Sequence, residues 1–384
     1  MRKNKILAVI GFVISIFFIQ PIFSADLDCA LHNCTIVIDS GSTKSQLHFF
    51  QYDKNAADEA INIEEISSLD NKVSPGLNSL YTEDVNKYLH TLFSKLQLNN
   101  SIPVYMYATA GMRLLPKEKQ DKLYKEVRKW FATQNHFQLV QLKTISGSDE
   151  ALYAWLSVNY LQDRLKDNAA RNTIGVLDTG GSSVQIAFAV PNEDKISPDD
   201  LKHFKLYGKT INLFVHSFLG LGRTDLGHQL IDESDCYTKG YQLISGKIGT
   251  GNYLINCTEK IDLLLKVHNV ASTVKPVLEK SDVKEWYVMG GASYLAATSP
   301  FHFSNNVLQP LTLMTVGAPY YCKTPWDVLT NQFINDPYLE DYCLSSVYFA
   351  KLFIDGYGLY ENQDIQFNKD AATEGWTLGV ILMH

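Results

Sequence analysis

The chain has 384 residues, 46% of them hydrophobic, and a formal charge of −7. That length is too great for one simple core and comfortable for two, and the apolar content is enough to fill them. No cluster of Lys and Arg stands out, which argues against a nucleic-acid binder. At the N-terminus Arg2, Lys3 and Lys5 precede an apolar run from Ile6 to Ile19, then Pro21 and the small pair Ser24-Ala25. This charged, apolar, small order is that of a secretory signal peptide, expected over residues 1–25. The run falls short of the about 20 residues a membrane-spanning helix needs, and the alternative is an uncleaved N-terminal anchor. Export makes disulfides the expected state of the six cysteines, Cys29, Cys34, Cys236, Cys257, Cys322 and Cys343. Pairing sequence neighbours joins 29 to 34, 236 to 257 and 322 to 343, one of many possible connectivities. No CxxC pair or Cys/His cluster is present, so no zinc site is expected.

From Thr35 to Ile38 the chain is β-branched and runs into Asp39-Ser40-Gly41-Ser42-Thr43; Gln46 to Phe50 is the return strand. The pattern predicts a hairpin with a turn of small, hydroxyl-bearing residues. Val104 to Ala108 reads as a strand and Pro116 to Thr133 as a helix with a solvated, mixed-charge face. A second hairpin begins at Thr173: Ile174 to Leu177 enters Asp178-Thr179-Gly180-Gly181-Ser182-Ser183 and Val184 to Val190 leaves it. Two Asp-led loops in matched contexts, separated by helices, predict an internally duplicated, two-lobed α/β protein. Asn192 to Leu201 reads as a polar surface loop.

The chemistry of these loops points to phosphate. Glycines let the backbone approach a bulky anion, successive N–H groups make an anion-binding concavity, and Ser and Thr hydroxyls add donors. A leading Asp repels phosphate; its sensible task is to hold the waters of a hard divalent cation, Ca²⁺ or Mg²⁺. Either loop alone would pass for an ordinary turn. A water-activating carboxylate is sought at Ser146-Gly147-Ser148-Asp149-Glu150, which opens a helical stretch. Acidic residues there also suit a capping box and the helix dipole, and spacing does not separate Asp149 from Glu150. Thr109 and Arg113 follow a strand; Arg113 reads more readily as an ion-pair partner than as a ligand contact.

Taken together and in order, Asp39 to Thr43, the stretch Ala108-Thr109-Ala110-Gly111-Met112-Arg113-Leu114-Leu115, the series Gly147, Glu150, Tyr153, Trp155, Asn159-Tyr160, and Asp178 to Ser183 resemble the ecto-nucleoside triphosphate diphosphohydrolase (apyrase) family. Leu206 to Lys209, His216 to Leu219, Tyr342-Cys343 with Tyr348 and Gly356-Tyr357, and Gly375 to Gly379 extend the resemblance over nearly the whole chain. It implies two ribonuclease H-like lobes of the actin/hexokinase superfold with the site in the cleft between them: residues 26–160 with 360–384, and residues 161–359. It also implies release of terminal phosphate from nucleoside tri- and diphosphates by direct attack of water, with Ca²⁺ or Mg²⁺. On this resemblance Glu150 becomes the base; Asp39 and Asp178 hold the metal through water; Ser40, Gly41, Ser42, Thr43, Gly180, Gly181, Ser182 and Ser183 cradle phosphate; and Thr109 and Gln185 position waters. Tyr338 and Tyr342 are candidates to stack on the base. The family's cysteine pattern supports 236–257 and 322–343. Ala151 stands where Gly is usual, Ser40 where Ala is, and Lys44 where His is common. The expected protein is a secreted or periplasmic monomer without a lasting membrane anchor. A sugar kinase of the same superfold, a non-hydrolysing nucleotide sensor and an exopolyphosphatase are the rival readings.

Overall fold

A computed structural model of the chain describes residues 29–98, 100–165, 173–191, 196–301, 303, 305–368 and 375–384. The expected signal segment 1–25 and residues 192–195 of the expected surface loop lie outside them. The β-branched stretch at Thr35 forms β1 (Asn33–Ser40), whose Thr35 to Ile38 are all buried, as a strand covered on both faces requires. It pairs antiparallel with β2 (Ser45–Lys54) across the first Asp-led loop and parallel with β5 (Ile102–Ala108). With β3 (Ala60–Glu65) and β6 (Phe137–Thr144) the sheet order is β3-β2-β1-β5-β6, and β4 (Asn71–Val73) pairs with β2 off this path.

The second sheet is built from β7 (Gly175–Thr179), β8 (Ser183–Ala189), β9 (Leu201–Leu206), β10 (Lys209–Leu219), β11 (Trp286–Gly290), β12 (Val307–Leu308) and β13 (Ile365–Gln366). Its order is β12-β13-β11-β7-β8-β10-β9. The run β10-β8-β7-β11-β13 repeats β3-β2-β1-β5-β6 of the first sheet. In each, an antiparallel hairpin carries the Asp-led loop and its first strand lies parallel to a later one. The duplication expected from the two loops is therefore a repeated sheet topology. It reaches single residues: Asp39 faces Gln46 across the first hairpin and Asp178 faces Gln185 across the second.

Three apolar cores follow. One lies on the outer side of the first sheet, under the helices α1 (Val85–Leu92) and α3 (Lys117–Phe131). The short helix α2 (Ala110–Arg113) follows β5. A second core fills the outer side of the second sheet. The third lies between the sheets and is built on α4 (Gly147–Leu161), whose residues from Glu150 to Asn159 are all buried. A helix apolar all round belongs in such a place. α4 packs on β7, β8 and β10, and against the C-terminal helix Thr377–Ile381, which in turn packs on β1 and β3. The two helices meet backbone to backbone: a Cβ added at Gly379 would stand 2.1 Å from Tyr153 O.

The expected return to the first lobe at residue 360 is corrected by the sheet pairing. Ile365–Gln366 still pairs with β11 in the second sheet, so the crossing comes after β13. All six cysteines are paired, as Cys29–Cys34, Cys236–Cys257 and Cys322–Cys343. Among the described residues no helix is long and apolar enough to cross a membrane.

Candidate active site

Both Asp-led loops open into one cleft between the sheets, with an accessible volume of about 210 Å³. The loops approach closely: a Cβ added at Gly181 would lie 2.6 Å from Ser42 Oγ. The second loop is held from behind by α5 (Arg223–Gln229), whose leading N–H groups reach back to it. Arg223 N donates to Gly180 O at 3.0 Å and Thr224 N to Gly181 O at 2.8 Å. That closeness is possible because the residue before α5 is Gly222, where a Cβ would sit 2.3 Å from Gly181 C. The first loop is pinned by Thr109, which donates its N–H to Ser40 O at 3.2 Å. With their carbonyls engaged from behind, the glycine-bearing loops leave a hydroxyl- and amide-rich wall toward the cleft.

Gly41, Ser42, Thr43, Gly180, Gly181, Ser182 and Ser183 all line that wall, as do Asp39, Asp178 and Thr109. Ser40 does not belong with them. It is buried, and its Oγ accepts from Ser45 Oγ at 3.1 Å, closing the hairpin instead of facing the cleft. The Ser182 hydroxyl donates to Asp225 Oδ1 at 3.2 Å.

The structure separates Asp149 from Glu150. Asp149 points outward to Lys202 Nζ at 2.7 Å, and its N–H caps on Ser146 Oγ at 3.0 Å. Burial works against its charge, but the Lys202 hydrogen bond and charge outweigh it and hold its pKa below the usual carboxylate value. Glu150 turns inward. Its Oε2 accepts from Arg113 Nη1 at 2.9 Å and from Gln185 Nε2 at 3.2 Å. Arg113 also donates to Ile145 O and Ser183 Oγ, and Gln185 to Ser183 Oγ and Ser217 Oγ, so both donors are fixed in turn. Gln185 thus lies beneath the wall, bonded to Glu150. Arg113 is an ion-pair partner, as its context suggested, and its partner is the candidate base.

Burial pushes Glu150 up to about 7; Arg113 opposes the shift and the Asp39 charge adds to it. Asp39 is pushed up to about 6 by burial, against the pull of His48 and Lys44. Asp178 is raised well above the usual range by burial and then by the charges of Glu150 and Asp39. Lys44 lines the cleft and is lowered by burial.

Three carboxylates gathered at one cleft, two of them near Arg113 and the third near His48 and Lys44, are a good seat for a hard cation. Asp39 Oδ1 and Gln185 Oε1 are buried without a hydrogen-bond partner. Among the inward-facing groups Asp39, Glu150 and Asp178 offer carboxylate oxygens, beside the nitrogens of Lys44 and His48. These residues fit a divalent cation of the Ca²⁺ or Mg²⁺ kind.

At the outer end of the cleft stand two half-exposed rings, Tyr294 and Tyr338, with centroids 6.4 Å apart and planes tilted by 43°. Arg223 lies over Tyr338 at 4.6 Å and pairs with Asp341 Oδ2 at 2.5 Å. Of the two expected stacking residues, Tyr338 offers a face. Tyr342 also borders the cleft, but it is mostly buried beside Tyr321 and donates its hydroxyl to Asp336 at 2.7 Å. Tyr294, Arg223 and Gln46 line the cleft without having been singled out from sequence. Gln46 had a signal, its pairing with Asp39 in a hairpin that matches the second one; Tyr294, in a short helix of small residues, had none.

A profile of the GDA1/CD39 (nucleoside phosphatase) family matches residues 30–384. The chain is 25% identical over 418 aligned positions to bovine ectonucleoside triphosphate diphosphohydrolase 1, covering 90% of this chain and 80% of that one. It is 27% identical to a nucleoside-triphosphatase of Pisum sativum, over 90% and 86%. Among solved structures, a nucleoside triphosphate hydrolase of Neospora caninum superposes with a TM-score of 0.56 at 14% identity, covering 91% of this chain and 92% of that one. An Aquifex aeolicus Ppx/GppA family member gives 0.53 at 16%, over 92% and 97%. At such identities the structural likeness shows the fold alone, the actin/hexokinase-like arrangement of two lobes about a cleft. With the loops, the carboxylates and the profile in agreement over nearly its full length, the chain belongs to the GDA1/CD39 (nucleoside phosphatase) family.

Proposed function

We propose that the protein hydrolyses nucleoside tri- and diphosphates outside the cytoplasm, releasing terminal phosphate by direct attack of water activated by Glu150. The observation that carries this reading is the setting of Glu150. Its Oε2 is clamped by Arg113 and Gln185, its carboxyl borders the cleft beside both phosphate loops, and burial puts its pKa near neutrality, where a general base works best.

In this scheme the loop hydroxyls and amides of Gly41, Ser42, Thr43, Gly180, Gly181 and Ser182 grip the phosphates. Glu150 Oε1 takes a proton from water as the water oxygen bonds to the terminal phosphorus. The bond from that phosphorus to the bridging oxygen breaks, and the electron pair leaves with the shortened nucleotide. Thr109 orients the water, and Tyr338 supplies a stacking face for the base. Asp39 and Asp178 would hold a Ca²⁺ or Mg²⁺ ion through water; when bound, such an ion neutralises phosphate charge and draws charge from the leaving oxygen. Three disulfides and the signal-like N-terminal sequence support action in an oxidising compartment. The lobe assignment supported by the sheets is residues 29–146 with 375–384, and residues 173–368, with α4 between.

The test is phosphate release from a panel of nucleoside tri- and diphosphates and inorganic polyphosphate, in Ca²⁺ and in Mg²⁺, by wild type and by Glu150→Gln. Nucleotide turnover should fall by about 10³-fold with nucleotide still bound; near-normal turnover would sink Glu150 as the base, and preference for polyphosphate would sink the substrate class.

A further inference from the structure

Behind the first phosphate loop three residues from separate segments meet, one of which, His48, also borders the cleft near Asp39. His48 lies on β2, Glu65 ends β3 and Asp70 immediately precedes β4. His48 Nδ1 is 2.5 Å from Glu65 Oε1 and 3.9 Å from Asp70 Oδ2, and one ligand atom from each residue lies within 4.8 Å of the other two. The imidazole is 5% exposed, the carboxylates 18% and 14%. Two largely buried carboxylates thus converge on a single buried imidazole, and Asp70 and Glu65 also share a hydrogen bond with each other. Asp70 is pre-oriented: Phe49 N donates to its Oδ1 at 3.3 Å, and Oδ2 is left turned to the histidine. An outer hydrogen bond that fixes a carboxylate in this way is what a metal-binding acid carries.

We propose that His48, Glu65 and Asp70 form a binding site for a divalent transition-metal ion of the zinc class, separate from the cation expected at Asp39 and Asp178. Donors held at 2.0–2.2 Å in a tetrahedron stand about 3.4 Å apart, and the 2.5 and 3.9 Å separations from His48 fall on either side of that value. Entry of the ion breaks the hydrogen bond between His48 and Glu65. Its proton and the one held between Glu65 and Asp70 go to solvent, the Nδ1 lone pair and one oxygen from each carboxylate become ligands, and water completes the shell. The buried imidazole donor favours such an ion over Mg²⁺ or Ca²⁺, which prefer oxygen alone.

The site has a structural consequence. The strand after Asp70 pairs with β2, and Gly76 beyond it is packed so tightly that a Cβ there would lie 2.4 Å from Gly41 O. The ion therefore fastens the strap that backs the first phosphate loop. Cysteine and histidine spacing does not reveal such a site, because its donors are one histidine and two acids spread over 23 positions from His48 to Asp70.

The experiment titrates chelator-stripped full-length protein with ZnCl₂ in millimolar Mg²⁺ and without nucleotide, reading free metal with a chromogenic chelator. Co²⁺ follows as a spectroscopic probe, and the unfolding midpoint is recorded with and without Zn²⁺. One tight equivalent of Zn²⁺ is expected, with a visible Co²⁺ spectrum and a raised midpoint. His48→Phe and Asp70→Asn should weaken that equivalent at least about tenfold and abolish the rise, whereas the pair Asp39→Asn with Asp178→Asn should retain both. If His48→Phe does not fold, Glu65→Gln, of equal size, takes its place. The proposal is overturned if wild type binds no tight equivalent, if these substitutions leave it unchanged, or if it disappears instead in the Asp39→Asn, Asp178→Asn protein.

Discussion

Asp149 and Glu150 are neighbours in the first turn of one helix, and their surroundings are opposite. A helical step of about 100° sends one to Lys202 at the surface and the other to Arg113 in the cleft. Composition and spacing could not distinguish them, because the partners that do so are remote in sequence. Since Arg113 lowers the pKa of Glu150, its removal should raise it. In Arg113→Gln the acid limb of kcat/KM, which in wild type should have its midpoint at or below about 7, is expected at higher pH, with kcat down about tenfold or more; a pH–rate profile measures both. Arg113→Lys should recover little, since a point charge replaces a fork that engages Ile145, Glu150 and Ser183 together. Stability has its own sign. Glu150 titrates near 4.5 unfolded and about 7 folded, so the native state binds the extra proton between those values and this group's contribution falls as pH rises through that window. In chelator, Glu150→Gln should therefore unfold about 2–4 °C above wild type at pH 7.5 and level with it at pH 4.5, as scanning calorimetry would show. An unchanged midpoint at pH 7.5 would mean that the buried charge costs nothing.

At the scale of elements, the two hairpins were the most legible part of the molecule. Their β-branched entry strands, small-residue turns and matched Asp positions name both the local structure and its repetition. The two-residue strands β12 and β13 were not legible, since pairs such as Ile365-Gln366 carry no periodicity. Nor was the burial of Ser40, which differs from Ser42 only by which side of the turn it faces. The loops depend on elements packed behind them, and Gly222 shows how closely. Gly222→Ala must displace either α5 or the Gly180-Gly181 backbone. Its expected cost is about 1–3 kcal/mol of stability, with a rise in KM for nucleotide larger than that for any substitution on the exposed face of α3. Denaturant unfolding and initial-rate kinetics test the two halves of that statement.

For the whole molecule, duplication predicted two lobes, and repeated sheet order is what the structure has. What joins them was less visible. The unbroken apolar run of α4 fits a buried helix in any setting, and only the structure shows it lying on the second sheet and against a C-terminal helix that lies on the first. The cleft between the lobes gathers three carboxylates, so activity should vanish with a chelator and return with Ca²⁺ or Mg²⁺. The same addition should raise the unfolding midpoint in wild type and do so less in Asp39→Asn, Asp178→Asn. Thermal shift at fixed pH with excess of either ion decides this, and equal shifts in both proteins would remove the two aspartates from the cation's holding.

The meeting of Gly379 with the backbone of Tyr153 places Glu150, three residues upstream, on the axle of the molecule, while each phosphate loop rides on a separate jaw. Glu150 is held by Arg113 from one lobe and by Gln185 from the other, so turning one lobe against the other would change the spacing of the jaws and the grip on that carboxylate together.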